Sequence, residues 1–251
     1  MATNNTDREH ATGDDRSTAR DDQPATDTGV QHIADEVSTE AGARGAIYAL
    51  AARIFDDPSD AFHRSLADGR VHDQFTALVE QSGLDVDPPD ATVDDDRETL
   101  SARYNDLFVI SYSEVIDPTD GTVENEGPSV SLYESEYRPE VSWNDVNIDL
   151  ARAYEYFGCQ VDQAQRRNHD HIRLQLEFMG YLCRREATVD PAVAAARLDF
   201  QDRHLRVVCG GIADALDGEP GTGLYGRVAE FLDRFTEADV QDLAAREADT
   251  Q

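Results

Sequence analysis

The run Asn168-His169-Asp170-His171-Ile172-Arg173-Leu174-Gln175-Leu176-Glu177-Phe178-Met179-Gly180-Tyr181-Leu182 constrains the fold more than any other part of the chain. Wound as a helix, its body carries apolar side chains on nearly every side, and a helix of that kind lies buried at a domain centre. Its opening is the reverse, an aspartate between two histidines. Titratable groups at the mouth of a core helix form either a capping device or a functional site. The spacing predicts this central helix over about residues 169–186.

Most of the remaining chain repeats a helical period. Ile47, Leu50, Ala51, Ile54 and Phe55 share one face, and Pro58 stops the run. Shorter helices are predicted at 61–66 and 75–79, with Gly69 and Gly83 as breaks and Asp85 to Asp96 as an acidic linker. Leu100, Tyr104, Leu107 and Phe108 mark another face. Val146, Leu150, Ala153, Tyr154 and Phe157 mark the next, closed by Gly158. After the central helix, Pro191 opens a helix, and Leu205, Val208, Ile212 and Leu216 line a following one. Leu224, Val228, Phe231, Leu232 and Phe235 then complete the core. The exception is the stretch 111–143, with Pro118, Gly121, Gly127, Pro128 and Pro139. A long loop inside a compact domain tends to be functional. Residues 1–29 hold no Val, Ile, Leu, Phe, Trp or Tyr, too little apolar surface to offset the entropy of ordering. The expected architecture is therefore all-α: a single-domain helical bundle over 38–247 with a Pro/Gly-containing loop at about 111–143, preceded by a disordered acidic tail over 1–37.

The formal net charge is −30, and all 22 basic residues are arginines. Dense carboxylates keep a protein hydrated in concentrated salt, and the composition resembles that of haloarchaeal proteins. The acidity then reports the medium rather than a partner. At molar salt the Debye length is about 3 Å, so recognition must rest on contact hydrogen bonds and apolar burial. Nucleic-acid binding, which needs a basic face, is disfavoured. Cys159, Cys183 and Cys209 show no C-x-x-C spacing and read as small buried hydrophobes in a reducing compartment. There is no apolar run of about 18 residues to span a membrane and no signal-type apolar segment at the N-terminus, so a cytoplasmic location is expected.

Several segments, taken in order, resemble the TorD/DmsD/NarJ chaperones of molybdenum enzymes. They are Ile47 to Phe55, Tyr104-Asn105-Asp106-Leu107-Phe108, Pro128 with Leu132-Tyr133-Glu134-Ser135, and Tyr154 to Gly158. Asp170-His171-Ile172 with Leu176-Glu177-Phe178-Met179, and Phe200-Gln201-Asp202-Arg203-His204-Leu205, complete the set. The similarity covers about residues 40–235. It implies an all-helical binding protein without catalysis and without a cofactor of its own. The implied partner is the catalytic subunit of a molybdopterin oxidoreductase, such as a dimethyl sulfoxide, trimethylamine oxide or nitrate reductase, together with its twin-arginine leader. Export of that subunit would be held back until its cofactor is inserted. The resemblance places leader and client binding at Tyr104, Leu107, Phe108, Pro128, Tyr133, Asp170 and His171. Where the family often has Glu-Pro before the Asp-His pair, this chain has Asn168-His169, which loosens that corner because proline is pre-set for a first helical turn.

The residues themselves leave alternatives open. Asp170 at a helix start can accept backbone N–H bonds and meet the positive end of the dipole, or it can hold a guanidinium in a bidentate pair. Tyr104, Leu107 and Phe108 at i, i+3 and i+4 read as core or as a groove wall. An apolar contact of roughly 200 Å2 is worth about 5 kcal/mol before ordering costs, so apolar contact should set affinity and arginine contact selectivity. His169, Asp170 and His171 invite a metal-dependent hydrolase reading. Two histidines at i and i+2 point about 200° apart on a helix, however, and rarely share one metal. Glu177 in an apolar helix is expected to be a buried carboxylate with an Arg or Tyr partner. A generic helical adaptor is the third reading.

Overall fold

The chain divides after residue 35, and everything described here belongs to the second unit, Glu36–Gln251. The computed structural model describes residues 38–111, 113–117, 122–125, 127–162, 167–188, 190 and 192–250. The tail expected over 1–37, and Pro118, Gly121, Arg166 and Pro191, lie outside the described residues.

Local signals set the helix ends. The first helices are α1 (Thr39–Ile54), α2 (Asp60–Ala67), α3 (Arg70–Ser82) and α4 (Arg97–Phe108). Ser38 Oγ accepts from Ala41 N–H, Ser59 Oγ from Phe62 N–H and the Asp96 carboxylate from Thr99 N–H, each satisfying a donor with no partner in its own helix. Gly69 and Gly83, at φ near +70°, bracket α3 in the left-handed conformation that glycine adopts without penalty. Later come α5 (Trp143–Tyr156), α6 (Ile172–Thr188), α7 (Val193–Phe200), α8 (Arg206–Asp217) and α9 (Leu224–Thr250). Among the described residues no helix is long and apolar enough to cross a membrane.

The stretch 111–143 is not the featureless loop expected from its prolines and glycines. It holds an antiparallel hairpin of β1 (Ser113–Asp117) and β2 (Thr122–Asn125), paired Ser113 with Asn125 and Val115 with Val123. A 3-10 turn over Glu134–Tyr137 follows, and α5 begins at Trp143. Strands of five and four residues and a 3-10 turn of four are too short to leave a long period in the sequence.

Helices α1 and α6 form the centre and cross on two glycines. A Cβ on Gly45 would lie 2.8 Å from Cys183 Cβ, and one on Gly180 would lie 2.9 Å from Gly45 O. Helix α6 begins at Ile172, three residues later than predicted, and is apolar on all sides but one. Arg173, Glu177, Tyr181 and Arg184 make the stripe toward solvent. Around α1 and α6 pack Phe55, Phe75, Leu100, Leu150, Leu205, Val208, Ile212, Phe231 and Phe235, all essentially without exposure. Cys183 and Cys209 are buried there as free thiols, whereas Cys159 is only half-buried.

A charged knot sits inside this apolar core. The Asp239 carboxylate, fully buried, accepts from Arg44 Nη1 at 3.0 Å and from Arg197 Nη2 at 2.8 Å. It also accepts from Tyr48 Oη and Gln201 Nε2, both at 2.8 Å. Arg197 also bonds Glu186, whose other oxygen accepts from Arg246 at 2.9 Å. Burial pushes the Asp239 carboxyl up, but the guanidiniums of Arg197 and Arg44 outweigh it and hold it below the usual range. Gln201 reaches this knot because residues Gln201–Leu205 form one turn of π-helix between α7 and α8. That extra residue re-aims side chains within an otherwise continuous helix.

Candidate functional site

Three stretches distant in sequence meet at the N-terminal end of α6. Val130 N–H donates to Leu107 C=O at 2.9 Å and ties the segment after the hairpin to the end of α4. Glu134 N–H donates to Asp170 C=O at 3.0 Å, and Ile172 N–H to Leu132 C=O at 2.8 Å. These bonds make an isolated antiparallel bridge between Tyr133 and His171, whose rings meet edge to face with centroids 5.0 Å apart.

The bridge decides what Asp170 does. His171 bridges to Tyr133 between a turn at Asp170 and the helix that starts at Ile172, and the buried Asp170 carboxylate bonds the facing segment instead of its own helix. Asp170 Oδ2 accepts from Ser135 Oγ at 2.6 Å and Ser135 N–H at 3.2 Å, and Asp170 N–H donates to Asn147 Oδ1 at 3.3 Å. The capping reading of Asp170 is thereby corrected. A free N–H of the first turn, that of Arg173, donates to His171 Nδ1 at 3.1 Å. With Nδ1 accepting, the neutral ring carries its proton on Nε2. Burial, reinforced by the positive charges of Arg167 and Arg173, pushes His171 down to about 3. The ring is therefore uncharged at neutral pH.

Beneath the bridge lies Glu134, also fully buried. It accepts from Gln175 Nε2 at 2.9 Å, forms an ion pair with Arg138 Nε at 3.1 Å, and lies 3.1 Å from His204 Nδ1. His204 arrives on the π turn, so one local distortion serves both the Asp239 knot and this corner.

On the outer side Asp56, just past α1, holds two arginines. Its Oδ1 lies 2.6 Å from Arg167 Nη2, and its Oδ2 bonds Arg173 Nη1. Arg173 Nε also donates to Glu177 at 2.9 Å. Glu177 does have its arginine partner, but it is exposed, not buried as expected, because it falls on the one stripe of α6 that faces solvent. Burial above all pushes the Tyr104 hydroxyl up to about 12, with the Asp56 and Asp57 charges raising it further and Arg167 opposing them. Burial, and after it the Asp170 charge, also raises the Tyr133 hydroxyl, against Arg167. Among the described residues, three buried polar atoms of this corner have no hydrogen-bond partner: Arg167 Nη1, Asp170 Oδ1 and Gln175 Oε1.

The structure thus gathers Tyr104, Leu107, Tyr133, Asp170 and His171, with Pro128 half-buried two residues before Val130. Tyr104, Leu107 and Phe108 face inward at 6–7% exposure, and Phe108 packs against Phe55 and Tyr225. The exposed apolar surface begins directly after them, at Val109 and Ile110. The sequence reading gave no role to Asp56, Glu134, Asn147, Arg167 and His204. Glu134 and His204 stood inside motifs already singled out, and the i, i+4 spacing of Glu134 and Arg138 was the available signal. His169 is turned away from His171: its ring lies against Tyr154 and its carbonyl accepts from the Tyr154 hydroxyl at 2.9 Å. Among the described residues no group of three or more His, Cys, Asp or Glu is placed to hold a metal ion.

Residues 68–212 match the family model described as nitrate reductase delta subunit. That span exceeds half of the chain and contains the whole corner except Asp56, and the chain belongs to this family. Among its relatives is the selenate reductase assembly chaperone protein of Thauera selenatis, 38% identical over 115 residues, which are 43% of this chain and 52% of the relative. The chlorate reductase assembly chaperone protein of Ideonella dechloratans is 35% identical over 116 residues, 43% and 53% of the two chains. With the perchlorate reductase assembly chaperone protein of Dechloromonas aromatica (strain RCB), identity is 23% over 208 residues, 80% of this chain and 90% of the relative. The matches to the first two span about half the length of those relatives.

Proposed function

We propose that this protein is a dedicated assembly chaperone for the catalytic subunit of a molybdopterin oxidoreductase, acting in the cytoplasm before that subunit is exported. The observation that carries the reading is its kinship with three reductase assembly chaperones, selenate, chlorate and perchlorate. The molybdopterin cofactor belongs to the client, and the chaperone's work is binding, not catalysis. The twin-arginine leader is the part of the client this corner suits best. Tyr133 and His171 meet there beside Asp170, whose buried Oδ1 has no hydrogen-bond partner among the described residues. A leader also carries an apolar run. Leu107 and Phe108 are already packed inside, so Val109 and Ile110 offer the first apolar contact, with Pro128 on the adjoining segment. At molar salt such contact sets most of the affinity, since exposed ion pairs are screened.

The test is affinity capture of the tagged protein from anaerobically grown cells in molar salt, followed by mass spectrometry. A molybdopterin catalytic subunit still carrying its leader is the expected companion. Capture of an unrelated partner in its place would favour the adaptor reading, and a stoichiometric metal with turnover the hydrolase reading.

A further inference from the structure

Helix α5 buries Val146, Leu150 and Tyr154 on one side. On the opposite side, at 3.6 residues per turn, Asp145, Ile148, Arg152 and Tyr156 fall within a stripe about 80° wide. Ile148 is 40% exposed and Tyr156 83%. Single exposed apolar side chains are normal, but these two share their stripe with two unpaired charges. Among the described residues the side chains of Asp145 and Arg152 make neither a hydrogen bond nor an ion pair. Their neighbours do: Arg203 bonds Asp149 and Asp199, and Arg138 pairs with Glu134. In a chain with 52 acidic residues against 22 arginines, an arginine left without a carboxylate marks a face that something else completes.

The order along the stripe says what covers it. Asp145 stands three residues before Ile148 and Arg152 four after it. Two copies of α5 laid antiparallel across Ile148 bring Asp145 of each to within about 1.5 Å, along the axis, of Arg152 of the other, an offset that a long arginine side chain spans. The stripe is complementary to itself, as a two-fold interface requires: acid meets base twice and Ile148 meets Ile148 on the axis. Asp149, the other carboxylate beside the axis, already bonds Arg203 and lies 3.2 Å from His204 Nε2, so no second pair of bare charges is forced together. The net charge of −30 on each chain opposes association. In molar salt that repulsion is screened beyond about 3 Å, while contact pairs and apolar burial remain.

We propose that the outer face of α5 is a two-fold interface between copies of this chain, with Ile148 on the axis and Asp145 of each copy paired with Arg152 of the other. One helix pair buries less than the roughly 1,200 Å2 at which stable interfaces begin, so the dimer is weak and forms at high protein concentration. None of these side chains belongs to the corner at the start of α6, and the dimer does not depend on which client that corner meets.

The experiment is sedimentation equilibrium of the full chain in molar salt, from micromolar to millimolar protein. The mass is expected to rise from one chain to two and no further. Ile148→Asp, which sets two carboxylates on the axis, abolishes the rise. Arg152→Asp weakens the dimer about tenfold, since symmetry removes two pairs at once, and Asp145→Arg does the same. The two charge changes combined rebuild both pairs in reverse and restore the affinity of the unaltered chain, a rescue that a merely structural role of either residue would not give. A chain that stays single throughout overturns the proposal, as does a mass that grows past two copies or a dimer that Ile148→Asp leaves intact. Single changes that weaken the dimer without rescue by the double change overturn the pairing across the axis and with it the proposal. Should Ile148→Asp fail to fold, Tyr156→Ser is expected to weaken the dimer in the same direction, and an unchanged dimer there overturns it too.

Discussion

The protein buries carboxylates in two places and treats them differently. At Asp239 both oxygens are filled by two arginines, a tyrosine and a glutamine, and among the described residues the buried Arg197 Nε of this knot has no hydrogen-bond partner. At Asp170 one oxygen is taken by Ser135 and the other has no hydrogen-bond partner among the described residues. The first is a structural clasp joining α1, α7, the π turn and α9. The second has bonding capacity to spare, in the stretch where the chain's motifs converge. A nearly saturated buried network holds a fold, and an unsaturated one at a partly open corner is where a partner can be met.

Changes in the two regions should separate stability from binding. The largest loss is expected from Asp239→Asn, which removes the counter-ion that buried Arg44 and Arg197 share and leaves them only Asp242 and Glu186. Removing one partner of such a network costs about 3–5 kcal/mol, read in denaturant unfolding, while partner affinity of the remaining folded protein should not change. Next comes pH. His171 titrates at about 3 in the fold and near 6.5 when unfolded, so the unfolded chain takes up the extra proton. Stability is full above about pH 6.5 and falls as pH drops toward 3, by about 4 kcal/mol across the window. His171→Asn keeps an acceptor for the Arg173 N–H and should flatten the part of that slope between about pH 6.5 and 5, where few carboxylates titrate. Asp170→Asn should cost only about 1 kcal/mol, since an amide oxygen still accepts from Ser135, yet weaken client binding about tenfold, as lost charge-assisted pairing would; calorimetric titration with the leader peptide reads the second effect. Glu177→Gln should change stability by less than about 0.5 kcal/mol, as exposed pairs do. A large effect at Glu177 would mean that the outer rim carries weight now assigned to the bridge.

Much of the helical framework could be read from spacing, because α1, α4, α5, α6 and α9 each present a long apolar stripe ended by Pro, Gly or a capping side chain. What could not be read depends on contacts across the chain. The direction of Asp170 is set by a bridge to Leu132–Glu134, so a motif that looks like a helix cap from its own neighbours becomes the anchor of a remote segment. The pairing of Asp56 with Arg167 spans 111 residues and leaves no periodic trace. The π turn at 201–205 hides inside an unbroken helical pattern, although it sends Gln201 and His204 to two different clusters. Glu177 shows the opposite error. Its apolar neighbours suggested burial, and the register of α6 put it outside.

Hydrogen–deuterium exchange of the protein, alone and saturated with its captured client subunit, tests the division between clasp and corner most directly. Added protection at 131–136 and 170–175, with the Asp239 region of α9 unchanged, is the result this account requires. Protection confined to α9, with the Tyr133–His171 bridge exchanging as it does in the free protein, would contradict it.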